Sequence, residues 1–549
     1  MTHPNPSTAL ARVVIDELVV GGVGFIAISP GSRSGALAIA AAGHPEVETR
    51  VFIDERSAAY WALGASRATG RPAAVVATSG TAPANFFPAV VEADMSCIPL
   101  VVISADRPSE LRGVGANQTI DQVEMFGRKV RAYRGIEAPD ARTDGNRSWR
   151  LAVGELLARA SGGPMPGPVH LNVAFREPTV PVTHDGRTGS TAYEPLTPRL
   201  DLGAESTPEP DVAQGRMVEA GSARGVVIAG DGEYDRAGVV AEARRLGWPV
   251  LATAVSGMRG GEVISSYRYL LDGGVPADLV PDTVVAVGGI GPDPRLEDLV
   301  AVAAARIRVD RWGRHIDPGR NATAVISADP VDFLRGVPES PVGSWEHGWR
   351  DADDAVRARV VAAIEARDRM TGGGVAHALN QVERGAVVVA SSLPVREVDA
   401  HLTTPGPVFA NRGASGIDGF VSTALGVASV IPGTIAFAGD LSLLHDSNGF
   451  LNDAPTDMTL IVVDNSGGGL FDSLPQARHA PEFERLFITP PKRDLADLLR
   501  FHGASVMSAY RPQELVEAVD ESVGRPGLDA VIVPVDRIYD LEMRSAGYR

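Results

Sequence analysis

Two short segments in the last third of the chain carry residue types that a hard cation prefers. An apolar run at 434–438 ends in Gly439-Asp440, and a second at 460–463 ends in Asp464-Asn465-Ser466-Gly467-Gly468-Gly469. Mg2+ takes oxygen ligands from carboxylates, amides, backbone carbonyls and phosphates. Asp440, Asn465 and the carbonyl of Gly467 can supply the protein's share, and the glycines let the backbone come close to phosphate oxygens. A helix at 445–451 and a return strand lie between them, so both side chains are expected at the same edge of one sheet. By itself, Gly-Asp at a strand end is also ordinary turn chemistry. A different acid stands at Glu55, between the apolar run 51–53 and the helical pattern Ala58-Ala59-Tyr60-Trp61-Ala62-Leu63-Gly64. A carboxylate in the first turn of a helix is favoured by the helix dipole.

The elements that must position these groups follow from the hydrophobic pattern. Ser7 or Thr8 can cap a helix carrying Leu10, Val13, Val14 and Leu18, which Gly21-Gly22 ends. Apolar runs at 25–28, 50–53, 73–77 and 99–103 each lead into a Gly- or Ser-bearing turn and a helical pattern. Strands apolar on both faces and separated by helices read as a parallel sheet, and such sheets bind ligands at the carboxyl ends of their strands. Those ends are Ser29-Pro30-Gly31-Ser32-Arg33, Asp54-Glu55-Arg56, Thr78-Ser79-Gly80-Thr81 and Ser104-Ala105-Asp106-Arg107, all polar after apolar strands. Residues 183–210, rich in Pro, Thr, Gly and Asp without a period, read as a linker. A second α/β block has strands at 225–229, 249–252, 283–287 and 306–309. A charged helix covers 344–369, and a third block has strands at 386–390, 407–410, 434–438, 460–463 and 530–533, in the rhythm of the first. The predicted fold class is α/β, with three doubly wound parallel-sheet domains at 1–182, 211–338 and 344–549.

Composition narrows the function. A chain of 549 residues exceeds one ordinary core, which fits three domains. The single cysteine, Cys97, excludes an internal disulfide and a cysteine-rich metal site. No signal-peptide pattern or membrane-length apolar run is seen, so the cytoplasm is the expected compartment. A net charge of -17 argues against general nucleic-acid binding, and requires any arginines that meet anionic substrates to be concentrated locally.

Gly439-Asp440 followed two dozen residues later by Asn465 resembles the cofactor motif of thiamine-diphosphate enzymes. Leu441 stands in place of the motif's second glycine, and Asp464-Asn465 in place of Asn-Asn. In that superfamily a Glu in an apolar setting activates the cofactor's aminopyrimidine, and Asp54-Glu55-Arg56-Ser57-Ala58 matches its pattern. More specifically, eight motifs appear in order: Ser29 to Ser34, Asp54 to Ser57, Thr78 to Thr81, Ser104 to Pro108, Gly115 to Thr119, Ser392 to Arg396, Asn411 to Gly419 and Gly467 to Phe471. Together they resemble the menaquinone-pathway 2-succinyl-5-enolpyruvyl-6-hydroxy-3-cyclohexene-1-carboxylate synthases, and they cover the first and third blocks. In that light Leu441 is one of the family's own variations.

The resemblance implies thiamine diphosphate with Mg2+ or Mn2+. It also implies a reaction in which 2-oxoglutarate loses carbon dioxide and the succinyl carbanion equivalent adds in a conjugate (1,4) sense to isochorismate. By family position Glu55, Ser79, Gly80, Gly416, Ile417, Asp440, Leu441, Ser442 and Gly467 bind the cofactor, and Asp440, Asn465 and Gly467 bind the metal. Ser392, Arg396 and Arg412 face the 2-oxoglutarate carboxylates. Ser32, Arg33, Arg107, Asn117 and Gln118 face isochorismate, and Leu470, Phe471 and Leu474 wall the pocket. Glu55, Arg33, Ser392, Arg396 and Arg412 are the catalytic set. The first domain would hold the aminopyrimidine and the third the diphosphate. The superfamily's sites lie between subunits, which implies a homo-oligomer. Arginine forks suit these dianions, since they bind carboxylates bidentately. Each residue has a plainer reading: Arg56 and Arg107 as structural ion pairs, Phe471 as core, Asn117 and Gln118 as partners of loop backbone. Gly288-Gly289-Ile290-Gly291 lacks the rest of a dinucleotide fingerprint, and His445 reads as structural. The competing functions are an acetolactate-synthase-like carboligase and a non-catalytic protein that keeps the fold.

Overall fold

The computed structural model describes residues 5–140, 145–162, 165–181, 223–291, 293–339, 343–454, 456–478 and 481–547. The expected linker at 183–210 lies outside them. Three parallel sheets account for the strands. The first holds β1 (Phe25–Ile28), β2 (Glu48–Val51), β3 (Ala73–Ala77), β4 (Leu100–Asp106), β5 (Tyr133–Ile136) and β6 (Val169–Ala174), in the order β2-β1-β3-β4-β6-β5. The second holds β7 (Gly225–Ala229), β8 (Val250–Ala252), β9 (Thr283–Val287), β10 (Ala305–Asp310) and β11 (Ala324–Ser327), in the order β11-β10-β9-β7-β8. The third holds β12 (Ala386–Val389), β13 (Val408–Phe409), β14 (Thr434–Gly439), β15 (Met458–Asp464), β16 (Ser505–Ser508) and β17 (Leu528–Pro534), in the order β13-β12-β14-β15-β17-β16.

The first and third sheets thus have the same strand order, so the shared rhythm of their sequences is a shared topology. In each, the chain reverses direction across the sheet between its first and third strands, the place where doubly wound sheets open a crevice at their carboxyl ends. The loops after β1 and β3 meet there: a Cβ on Gly31 would lie 2.3 Å from the Cβ of Thr78.

The helices that matter to the site are α1 (Pro6–Val20), α2 (Glu55–Thr69), α3 (Phe87–Ser96), α4 (Leu393–His401), α5 (Phe420–Ala428) and α6 (Asp440–His445). Asn5 caps α1, rather than Ser7 or Thr8, because Pro6 starts the helix and Asn5 accepts from the Thr8 N–H at 3.0 Å. Ser7 instead donates to the Arg176 carbonyl at 2.8 Å. The helix expected at 445–451 begins earlier, at Asp440, and a short 3-10 turn covers Ser447–Phe450. β5, β6, β11 and β16 were not expected. β6 carries His170 and Asn172 in the middle of a fully buried strand, which breaks the apolar signature.

The described residues fall into two compact units. One comprises Met1–Ser206, Asn411–Ile431 and Leu444–Thr456; the other comprises Thr207–Ala410, Pro432–Leu443 and Asp457–Arg549. Within the first, α5 lies against α2 with backbone nearly touching backbone. A Cβ on Gly64 would lie 2.2 Å from the Thr423 carbonyl, and one on Gly426 would lie 2.1 Å from that of Trp61. Arg50 of β2 holds the 444–456 segment by donating to the Ala454 carbonyl at 2.7 Å and the Thr456 hydroxyl at 3.0 Å.

Candidate active site

In the first unit, the ends of β1, β3 and β4 bring five of the expected residues together. Arg107, the residue after β4, donates to the Ser79 hydroxyl. The Ser79 carbonyl accepts from Gln118 Nε2 at 3.1 Å. Gly80 has φ +84, and a Cβ there would lie 2.8 Å from Gln118 Cγ, so glycine is required by both backbone and contact. Burial holds the Arg107 guanidinium below its usual range, and the neighbouring Arg33 adds to that effect. Two neighbouring guanidiniums form a place for a carboxylate. Arg33 is anchored from behind: it donates to the Phe175 carbonyl at 2.8 Å, lies 3.4 Å from Glu177, and its side chain is 11% exposed. Ser32 and Asn117 lie exposed on the adjoining loops.

Glu55 is the first residue of α2. Asp54 caps this helix by accepting from the Arg56 N–H at 2.9 Å. Half-burial raises the Glu55 carboxyl above its ordinary value, partly offset by its own backbone N–H and reinforced by Asp54. One turn along, Tyr60 donates to Asp418 at 2.6 Å, and Asp418 packs on Gly416, where a Cβ would meet its Oδ1 at 2.0 Å. The helix bearing Glu55 is thereby tied to the loop bearing Gly416 and Ile417. The same loop, with Arg412, is held by buried Glu92 of α3, which accepts from the N–H groups of Gly413 at 2.8 Å and Ala414 at 2.7 Å. Arg56 has the structural role weighed for it: it donates to the His445 carbonyl at 2.9 Å and pairs with buried Asp446 at 3.5 Å. Asp446 also accepts from the Ser422 N–H and hydroxyl, at 2.8 and 2.9 Å.

The second unit carries the remaining expected residues. Asp440 is buried at the end of β14 and accepts from the N–H groups of Leu441 and Gly467, both at 2.7 Å. Burial outweighs these bonds and, with Asp464 nearby, pushes its carboxyl up to about 7. A bound divalent cation would reverse that balance. Among the described residues no cluster of three or more His, Cys, Asp or Glu is placed to hold a metal, so an ion here would rely on amide and carbonyl oxygens as well. The glycine run lets the chain pack closely on itself. Gly467 has φ +122 and its Cβ would lie 2.1 Å from the Ile488 carbonyl, while a Cβ on Gly469 would lie 2.7 Å from Asn465 Nδ2. The Gly467 carbonyl accepts from Gly469 at 2.8 Å and retains a second lone pair. Ser442 is buried beside Leu441.

Ser392 has φ +78, a strained conformation for a residue with a side chain, at the entry to α4. Its carbonyl accepts from Arg396, so two of the three expected carboxylate-facing residues form one local structure. Phe471 is half-buried against Phe487, ring centres 5.5 Å apart, and Leu470 and Leu474 flank it, Leu474 being the most exposed.

Sequence reasoning missed the polar residues beneath the first cluster. Ser104, His170, Asn172 and Gln122 are buried and hydrogen-bonded to one another behind Gly80 and Arg107. Their signal was available: His170 and Asn172 are two apart, on one face of a strand. In the middle sheet, Gly289 serves close loop packing, since a Cβ on Gly230 would lie 2.3 Å from its carbonyl.

The chain is similar to known proteins over nearly its whole length. The family model "Thiamine pyrophosphate enzyme, N-terminal TPP binding domain" matches residues 8–125. A solved structure of benzoylformate decarboxylase from Polynucleobacter necessarius aligns over 96% of this chain and 98% of its own, with TM-score 0.67 and 16% identity, a likeness of fold. Two relatives named 2-succinyl-5-enolpyruvyl-6-hydroxy-3-cyclohexene-1-carboxylate synthase align almost end to end. That of Thermobifida fusca is 39% identical over 99% of this chain and 98% of its own. That of Saccharopolyspora erythraea is 38% identical over 97% and 96%. At these identities over nearly its whole length, the chain belongs to the 2-succinyl-5-enolpyruvyl-6-hydroxy-3-cyclohexene-1-carboxylate synthases.

Proposed function

We propose that the protein decarboxylates 2-oxoglutarate and adds the remaining four-carbon unit to isochorismate, as a transferase of the transketolase type in menaquinone biosynthesis. Thiamine diphosphate, when bound, supplies a carbon nucleophile and an electron sink. Asp440, Asn465 and Gly467 would hold its metal and diphosphate, with Leu441 and Ser442 beside them. Glu55, whose carboxyl is raised by burial, would exchange a proton with the aminopyrimidine. Ser79, Gly80, Gly416 and Ile417 would complete that end. Domains at 1–182 and 344–549 would divide these tasks. Arg396, Arg412 and Ser392 would orient the 2-oxoglutarate carboxylates, and Arg33, Arg107, Ser32, Asn117 and Gln118 those of isochorismate. Leu470, Phe471 and Leu474 would exclude water. The assembly would be a cytoplasmic homo-oligomer; among the described residues no helix is long and apolar enough to cross a membrane.

The observation that carries this reading over a pyruvate-joining carboligase is the Arg33–Arg107 pair beside Ser79. A pocket with two adjacent guanidiniums suits a dianion and is wasted on a small monoanion. Purified protein with Mg2+ and thiamine diphosphate is expected to consume 2-oxoglutarate and isochorismate together. Condensation of two pyruvates with no use of isochorismate would overturn the assignment.

A further inference from the structure

Gln122 is 1% exposed and joins β4 and β6 to the loop after β3. Its Oε1 accepts from the Gly80 N–H at 3.2 Å. Its Nε2 donates to the Ala105 carbonyl at 3.3 Å and to Asn172 Oδ1 at 2.9 Å. Every direction in this network is fixed by groups that cannot reverse. The Gly80 N–H can only donate, so it must face the Gln122 oxygen. The Asp106 carboxylate can only accept, and Asn172 Nδ2 donates to it at 2.9 Å, which turns Asn172 Oδ1 toward Gln122. The Ser104 hydroxyl donates to the same Oδ1 at 2.7 Å, so it must accept from His170 Nε2, also at 2.7 Å. Burial pushes His170 down to about 3, so the ring stays neutral and carries its proton on Nε2. Asp106 in turn accepts from the Arg107 N–H at 2.7 Å and pairs with Arg112 at 3.2 Å.

We infer that Gln122 is a positioning residue for the isochorismate pocket, setting Gly80, and through it Ser79, Gln118 and Arg107, in their binding arrangement. This rests on the function proposed above. Gln122 needs both ends of its amide: an acceptor for Gly80, and a donor for Asn172 and Ala105. A glutamate has the same shape but gives only the acceptor when ionised, and regains one donor when protonated. Around position 122 it would face the oxygens of Asn172 and Ala105, with Asp106 one residue further and neutral His170 beyond Ser104. The Arg112 guanidinium is paired with Asp106, and the Arg107 guanidinium donates to the Ser79 hydroxyl. Those surroundings favour the protonated form.

The test compares the parent, Gln122→Glu and Gln122→Ala by steady-state kinetics across pH, by calorimetric binding of isochorismate to cofactor-free protein, and by hydrogen exchange at Gly80. Gln122→Glu is expected to raise KM for isochorismate by about tenfold at pH 8, the scale of one buried hydrogen bond. The defect should shrink toward pH 6, while KM for 2-oxoglutarate moves less than about twofold. Gln122→Ala should show the defect at every pH. An equal, pH-independent effect on both substrates, or none, overturns the inference. If the parent neither binds nor uses isochorismate, the proposed function fails, and exchange at Gly80 still decides: protection in Gln122→Glu that rises at low pH supports positioning, and protection equal to the parent at all pH values rejects it.

Discussion

Glu55 occupies a place where two effects on a carboxylate oppose each other, and burial is the larger. The helix N-terminus steadies its charge, while half-burial raises its pKa toward the range where a proton can be shared. Glu55→Gln is expected to retain thiamine diphosphate binding while turnover falls by about a hundredfold or more; unchanged turnover would remove Glu55 from the mechanism. Asp446 tests burial in another way. It is pushed up to about 6 from an ordinary 3.8. A carboxyl with a raised folded pKa contributes stability that is complete below its unfolded value and lost as pH rises through the folded one. The loss therefore falls between 3.8 and about 6. Asp446→Asn stays neutral, so its Tm relative to the parent should climb across that window and then level off. A constant difference would show that Asp446 does not titrate there. At this scale the sequence singles out residues whose type announces a chemistry, as at Asp440, Glu55 and the arginines. It was silent on Gln122 and Glu92, whose importance lies in which backbone N–H they meet.

The α2–α5 contact belongs to the scale of elements. Both glycines oppose a backbone carbonyl, and backbone cannot rotate away as a flexible side chain can. Gly426→Ala is expected to destabilise the protein by about 2 kcal/mol or more, read by urea unfolding; a loss under about 0.5 kcal/mol would mean that the helices part easily. Strands such as Ala73–Ala77 and Thr283–Val287 were read to the residue because uniform apolarity marks a buried parallel strand. The short edge strands Ala324–Ser327 and Ser505–Ser508 were not, since an edge strand open to water has little apolar signature. Asn5 was overlooked as a cap because Pro6 hid the helix start.

At the scale of the whole molecule, Glu55 and Asp440 fall in different compact units. If active sites form between two copies of the chain, as proposed, inactive Glu55→Gln and Asp440→Asn subunits should complement each other. A mixed dimer would then hold one intact site and one doubly damaged site. Random mixing makes half the dimers mixed, so activity should recover to about a quarter of the parent's. Sites built within single chains would recover nothing.

The closeness of Gly64 to Thr423 and of Gly426 to Trp61 also has a consequence in time. Trp61 is fully buried in the finished protein, yet part of its cover is made about 360 residues later in synthesis. At ~5–20 residues per second, the nascent N-terminal sheet waits about 20 to 70 seconds with that helix face open. The ribosome, rather than the folding barrier, sets when the first unit can close.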